Sequence, residues 1–466
     1  MDGHATLTTD VIVAGAGMGG LTAARTAQET GARVVVLEKA PKTGGSAAAS
    51  GGTCWMANDL PTWLTVHPGA DPALGKALVD SFFEGAAWLP SQGVVSERQA
   101  GSPDAEKFPR TVFAFKPDAA AVLEGLAGRI TAGGGTILVS TALRDLELDD
   151  RGAMAGIRAL GPDGWIQVAA PAVVLATGGW QGSQEMRARY LGRWADGMVL
   201  RANAYSTGEG FLAALRVGAG SAGPFARFYG HMMPAPPAEV GLHNFAQVKP
   251  TFSDYSVFVN IHGERFDDEW LGDEVTVHAV IQQDEGLCFL VWDEGIRRRH
   301  CQVPANAKPG ADRLKNIQDA GAEILAAPTL DALATQMQQR WGVRRAALVR
   351  TLDAYNAAAR AGSDVTLPIP RTGGLEAIET APFYGLRCVP GITFTYGGAR
   401  VSRRGQVLDT TGKPIPGLYA AGADCGGVYT RGYTGGLGLG LAFGRISGKE
   451  AAAFAAARTP EAVGVR

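Results

Sequence analysis

Cysteine is scarce and unpaired in this sequence. Its five residues (Cys54, Cys288, Cys301, Cys388 and Cys425) are odd in number, scattered, and form no Cys-x-x-Cys pair. That pattern argues against a disulfide framework, a zinc site, an iron–sulfur cluster and a c-type haem, so no metal is expected. Excess charge of one sign is missing too. The 43 Lys and Arg against 45 Asp and Glu leave a net charge of −2, no electrostatic reason to expect nucleic acid or an anionic membrane. No apolar run reaches the roughly 18 residues of a spanning helix. Residues 1–9 (MDGHATLTT) have neither the basic start nor the apolar stretch of a signal peptide. The expectation is a cytoplasmic chain, kept in a reducing compartment and without a membrane span.

What is present is a folded chain of 466 residues, 46% apolar and 19% charged, long enough for two domains, with an unusual 64 glycines. The glycines do not recur as Gly-X-Y, so tight turns and close backbone approach to a ligand are the better account. Residues 10–14 (DVIVA) predict a buried parallel strand, 17–30 a helix ended by Gly31, and 33–38 (RVVVLE) a second buried strand, together a βαβ unit. Residues 72–89 and 117–132 read as helices, and 135–140, 142–148 and 154–159 as strands of a small meander. The run 172–176 (AVVLA) is another buried strand, and 417–422 (GLYAAG) a further one, followed by an Ala-rich helix over 438–457. From about 222 to 378 this rhythm stops: proline punctuation, a strand at 257–261 and helices at 328–341 and 344–361 replace it. The predicted organisation is a nucleotide domain over 1–221 and 379–466, interrupted by an insert over 222–378.

The strongest motif is Gly15-Ala16-Gly17-Met18-Gly19-Gly20 between strand and helix, with Glu38 ending the next strand. Gly15 permits a sharp turn, Gly17 lets backbone approach a pyrophosphate, and Gly20 lets helix and strand pack closely. The helix N-terminus offers unpaired N–H groups to phosphates. Glu38 is placed to accept the ribose hydroxyls of an adenosine and to repel a 2′-phosphate. This constellation does not separate FAD from NAD. A second piece follows Glu38 and Lys39: Gly44-Gly45-Ser46 and Ser50-Gly51-Gly52, glycine pairs that let the chain run along an extended cofactor, with two hydroxyls to donate. A third is Gly417-Leu418-Tyr419-Ala420-Ala421-Gly422-Ala423-Asp424, a strand that delivers a carboxylate to a sheet edge. Gly438 and Leu439 are then expected to open the last helix, whose dipole favours negative charge.

These segments, with 172–179 (Gly178 among them), 207–210 (TGEG), 257–269 (VFVNIHGERFDDE), 381–412 and 414–448, resemble the fumarate reductase/succinate dehydrogenase flavoprotein superfamily. The 3-ketosteroid dehydrogenases and tricarballylate dehydrogenase-like proteins are its nearer branches. The resemblance implies an α/β fold: a Rossmann-like FAD-binding domain of glutathione-reductase type, with an inserted α+β capping domain. It implies FAD held through Glu38, Ser46, Gly51, Gly52, Asp424 and the Gly438–Leu439 backbone. Members with covalent flavin attach it through a His in the loop after the glycine pair; residues 46–52 contain none, so the FAD is expected to be noncovalent. Electrons then pass between a small-molecule substrate and an external acceptor or oxygen, in a monomer or small homo-oligomer.

Chemistry beside a carbonyl needs a base or acid, an oxyanion donor and a cover that excludes water. The Arg that follows the RF..E segment in fumarate reductases is absent from Trp270-Leu271-Gly272-Asp273-Glu274, and the His-containing carboxylate-binding stretch reads Thr393-Phe394-Thr395-Tyr396-Gly397-Gly398. Both changes remove groups that a C4-dicarboxylate requires. Gly432-Tyr433-Thr434-Gly435-Gly436 instead resembles the tyrosine loop of ketosteroid-type dehydrogenases. Tyr433 is the expected hydrogen-bond donor to an enolate oxygen and Tyr396 the second candidate. Arg431 is a candidate carboxylate clamp, and His231 falls where some relatives contribute a substrate-facing His. Three functions compete: desaturation or reduction of the CH–CH group next to the carbonyl of an apolar cyclic ketone; a carboxylate-specific enzyme of tricarballylate or fumarate reductase type; and a non-catalytic flavin electron-transfer protein.

Overall fold

Short runs of aliphatic residues that are apolar on both faces have one stable home, a parallel sheet covered on both sides. Val11–Ala14, Val34–Leu37 and Ala172–Leu175 are buried at every position. In the computed structural model, which describes residues 6–99, 109–301 and 312–458, they lie together in a six-stranded sheet. Residues 1–5, part of the stretch expected to lack a signal peptide, lie outside the described residues. The strand order is Gln406–Leu408, Pro414–Ala420, Ala172–Leu175, Val11–Ala14, Val34–Leu37, Thr136–Leu138. Every pair runs parallel except the first, so residues near both ends of the chain share one sheet.

The helices Met18–Glu29 and Gly436–Arg458 meet through their backbones. A Cβ added at Gly440 would lie 3.0 Å from the Gly19 nitrogen, one at Gly444 2.6 Å from the Gly19 oxygen, and one at Gly448 2.3 Å from the Ala23 oxygen. Only glycine fits at that crossing.

The expected meander needs correcting. Thr136–Leu138 is the edge strand of the parallel sheet, paired with Val34–Leu37 after the helix Ala119–Ala132, as a strand–helix–strand crossover requires. The separate antiparallel sheet is Ala142–Leu148, Met154–Gly161 and Gly164–Ala169, with Thr6–Thr8 added at its edge. A three-stranded sheet of Thr53–Ala57, Arg110–Lys116 and Val95–Arg98 was not anticipated by the sequence pattern.

Two compact units divide the chain. The first holds residues 1–183, 202–228 and 394–466; the second holds 184–201 and 229–393. These divisions differ from the expected 222 and 378, and 184–201 belongs with the second unit. The latter is built on the thirteen-residue strand Phe383–Thr395, which pairs with Cys288–Asp293, Ile324–Ala327, Val199–Leu200 and Phe228–Pro234. Helices Leu330–Trp341 and Arg345–Ala361 complete it. In its interior Glu269, fully buried, accepts from Arg265 at 2.7 Å and from Arg371 at 2.9 Å. The RF..E segment therefore serves the second unit's core.

Replacing Gly448 by Leu is expected to destabilise the protein by about 3 kcal/mol. Urea unfolding should show it as a lower midpoint with little change in slope.

Candidate active site

The glycine motif forms the turn its spacing predicts. Gly15 has φ +108°, and a Cβ there would meet the Ala176 oxygen at 2.1 Å; one at Gly20 would lie 1.8 Å from the Gly15 oxygen. Ala16 N–H donates to Glu38 Oε2 at 2.8 Å and Ala40 N–H to Oε1 at 2.7 Å, fixing the carboxylate beside the turn. Burial raises the Glu38 pKa, against the lowering effect of the Ala40 and Ala16 N–H groups. Gly17 caps the helix Met18–Glu29 with no side-chain hydrogen bond, and no acidic residue stands in the first turn. A Cβ at Gly17 would meet only the Gly44 oxygen, at 3.9 Å. Gly44 N–H donates to the Ala16 oxygen at 2.7 Å, and Gly44 and Gly45 have φ of +111° and +54°. The result is a cleft of bare backbone at a helix N-terminus, next to a buried carboxylate. It fits a pyrophosphate and the ribose of an adenosine.

Several expected cofactor ligands have other partners. Ser46 Oγ accepts the Asn203 N–H at 3.1 Å. Ser50 was expected to donate to a cofactor; its hydroxyl donates to the Ala47 oxygen at 2.7 Å and accepts from Gly52 N–H, closing its own turn. Gly51 faces open space, and Gly52 has φ +70°. Lys39 pairs with Glu209 and donates to Thr207 Oγ1 at 2.6 Å, so it holds the TGEG loop. Burial alone would lift the Glu209 carboxyl, yet Lys39 and Thr207 keep it below its ordinary value. Asp424 was expected at ribityl hydroxyls. Its buried carboxylate accepts from the Thr177 N–H, from Thr177 Oγ1 at 2.9 Å and from Gly179 N–H at 3.4 Å. It thereby braces the turn containing Gly178 (φ +91°), next to Gly422 (φ +64°). The last helix opens at Gly436, ahead of Gly438, and Leu439 N–H already donates to the Gly435 oxygen at 3.0 Å. Leu437 and Gly438 thus stand in the first turn, ahead of Leu439.

The tyrosine loop abuts that helix start. Gly436 N–H donates to the Tyr433 hydroxyl oxygen at 2.6 Å, which places this half-buried phenol at the positive end of a 23-residue helix. Trp55 meets its ring edge-on with centroids 5.3 Å apart, Phe394 lies at 5.8 Å, and the Arg110 guanidinium covers Trp55 at 4.8 Å. Tyr396 is buried, and its hydroxyl donates to the Gly432 oxygen at 2.7 Å. It supports the loop, which corrects its expected role as a second donor. Arg431 is exposed. Sequence reasoning missed His67, which is fully buried and stacked on Tyr429 with centroids 4.7 Å apart. Its Nδ1 accepts the Thr430 N–H at 3.4 Å, so Nε2 carries the hydrogen that Thr434 Oγ1 accepts at 3.0 Å. Burial holds its pKa down to about 3, so the ring is neutral and pins both ends of the loop.

In the second unit His231 is 3% exposed with both ring nitrogens engaged, Nδ1 by Asp273 at 2.9 Å and Nε2 by the Tyr229 hydroxyl at 3.0 Å. That corrects its expected role as a substrate-facing ligand. Arg201, also missed, is a buried guanidinium that donates to Thr393 Oγ1 at 3.0 Å and lies 4.8 Å over the Phe245 ring.

The model of the FAD binding domain family matches residues 10–439. The chain belongs to this family. Among the similar proteins, a cytochrome-type fumarate reductase of Shewanella frigidimarina is 26% identical over 96% of this chain and 77% of its own length. A 3-oxosteroid 1-dehydrogenase of Mycolicibacterium smegmatis is 26% identical over 96% of this chain and 98% of its own. The solved 3-ketosteroid delta1-dehydrogenase of Sterolibacterium denitrificans shares the fold, with a TM-score of 0.78, 20% identity and coverage of 97% and 100%. This member of the FAD-binding family is an FAD-dependent oxidoreductase acting on CH–CH groups. The non-catalytic reading is thereby set aside. Among the described residues no helix is long and apolar enough to cross a membrane.

Glu38→Gln is expected to weaken FAD binding about tenfold, the scale of one charge-assisted hydrogen bond. Because burial raises the Glu38 pKa, its ionised form is lost earlier on acidification than that of an ordinary glutamate. Wild-type affinity should therefore fall on acidification, beginning at higher pH than an ordinary glutamate would require, and the Gln variant should lose that dependence. Equilibrium titration of apoprotein with FAD at several pH values measures both effects.

Proposed function

We propose that the enzyme desaturates, or in reverse reduces, the CH–CH group next to the carbonyl of an apolar, mostly cyclic ketone, using noncovalent FAD. The observation that carries this reading is the Gly436 N–H held on the Tyr433 oxygen at the helix N-terminus. An N–H accepted by a phenol oxygen withdraws charge from it and strengthens its own O–H as a donor. Such a phenol stabilises the negative charge that develops on a carbonyl oxygen when the α proton leaves. It does so as a donor, without ionising. The Trp55, Phe394 and Tyr429 rings around it suit an apolar substrate. His67, Thr434 and Tyr396 keep the loop from moving, so the donor is positioned before the substrate arrives.

Bound FAD supplies the two-electron exchange with Cβ. The Gly17 and Gly44–Gly45 backbone and Glu38 hold its adenosine diphosphate portion, and residues 46–52 offer no His for covalent attachment. Five reduced, buried thiols suit a cytoplasmic location, and the electrons pass to an external acceptor or oxygen. One observation favours a second reading: the buried Arg201 guanidinium is a better carboxylate clamp than exposed Arg431, and it would serve a carboxylate-specific enzyme.

Anaerobic mixing of the yellow holoenzyme with androstenedione and cyclohexanone, and of the chemically reduced enzyme with fumarate and urocanate, separates the two. Bleaching by a neutral ketone with no reoxidation by either carboxylate is expected; the opposite pattern establishes the Arg201 reading. Tyr433→Phe should keep its FAD and bleach about 100-fold more slowly. A wild-type rate in that variant removes Tyr433 from the site.

A further inference from the structure

Ser46 and Lys39, both expected at the cofactor, hold protein instead, and they hold the same segment of it. Ser46 Oγ accepts the Asn203 N–H at 3.1 Å, from 157 positions along the chain. Lys39 donates to the Tyr205 oxygen at 3.3 Å and to Thr207 Oγ1 at 2.6 Å, and it pairs with Glu209. Asn203 also ties the segment to itself, its Oδ1 accepting the Tyr205 N–H at 2.7 Å. Residues 203–209 are thus fastened at both ends onto the loop that follows Glu38. All of these residues belong to the first unit.

These ties decide which way the Asn203 amide faces. A backbone N–H needs an oxygen opposite it, so the Tyr205 contact fixes Oδ1 on that side and leaves Nδ2 on the other. A Cβ built on Gly45 would lie 3.5 Å from Nδ2, 3.4 Å from the Gly17 Cα and 3.8 Å from the Gly17 nitrogen. The half-buried Asn203 amide therefore borders the cleft of bare backbone at the start of Met18–Glu29. Among the described residues, neither Nδ2 nor the Gly17 N–H donates to a protein acceptor. Two unanswered donors and a helix N-terminus in one small space complement a group with several anionic oxygens. Asn supplies the shape of Asp there without the charge that would repel such a group.

We propose that Asn203 is a cofactor-binding residue whose Nδ2 donates to the FAD diphosphate, with Ser46 and Lys39 as positioning residues that fix the 203–209 segment for that contact. The segment then acts as a strap. It adds one side-chain donor to a cradle otherwise made of main chain, and it slows departure of the cofactor. The proposal rests on the noncovalent FAD of the reading above, because a strap of this kind matters for a cofactor that is able to leave. Ser46 and Lys39 then serve the cofactor at one remove: each acts through the segment it anchors.

Two measurements test this. The first is titration of apoprotein with FAD, and with ADP as the fragment that carries the diphosphate without the flavin ring. Asn203→Asp keeps an oxygen for the Tyr205 N–H and turns the donor into an anion, so both affinities should fall about 100-fold. Wild-type ADP affinity in that variant overturns the contact. Ser46→Ala and Lys39→Met should each weaken FAD about fivefold, and neither should weaken it further once Asn203 is replaced by Ala. Losses that simply add overturn the positioning roles. The second measurement reads the loaded protein: phosphorus NMR of holoenzyme, kept saturated with FAD, should show at least one of the two diphosphate resonances moved by Asn203→Asp. Unmoved resonances overturn the proposal. Should the flavin stay attached to the unfolded chain, the noncovalent reading fails on that result, and the phosphorus spectrum alone decides the Asn203 contact.

Discussion

Backbone against backbone, at the crossing of Met18–Glu29 with Gly436–Arg458, is the contact on which the cofactor site depends. Side chains at Gly440, Gly444 or Gly448 would hold the helices apart by the width of a methyl group or more. With them absent, the first glycine turn and the last helix start are brought into one unit, although they stand at opposite ends of the chain. The same economy recurs at Gly15 and Gly20, where helix and strand touch through main-chain atoms. Glycine enrichment in this chain is therefore a packing requirement first and a source of turns second.

From that contact the local electrostatics follow. A helix start at Gly436 turns its amides toward the Tyr433 loop, and the phenol oxygen answers one of them. The N-terminus of Met18–Glu29 has no such side-chain answer and stays available to phosphate. Two helix starts in one unit thus serve different ends because one is capped by a tyrosine and the other is bare.

The first glycine turn was legible in the sequence because its geometry is main-chain geometry. Gly15, Gly17, Gly20 and Glu38 act through backbone geometry over a short span, and spacing alone conveys that. Ser50, Lys39 and Leu439 were misjudged because a residue type says what a side chain offers, not which neighbour claims it first. The Thr136–Leu138 strand was assigned to the wrong sheet for a related reason: a short apolar run carries no label for its partner. His67 and Thr434 are 367 positions apart, and His231 and Asp273 are 42 apart. No local pattern announces such pairs, since each side chain looks like an ordinary interior or surface residue until the fold closes. Arg201 was hidden because its segment was assigned to the nucleotide domain, whereas 184–201 is part of the second unit.

The chain passes between its two units at 183/184, 201/202, 228/229 and 393/394. The second unit is consequently stitched in as two separate pieces, and the short piece contributes the Val199–Leu200 strand to the other's sheet. Neither unit can be lifted out as one continuous segment of gene. Exchanging the second unit between relatives by recombination would require a double graft, in which 184–201 travels with 229–393; a graft of the long piece alone would leave Phe383–Thr395 without its native neighbour Val199–Leu200.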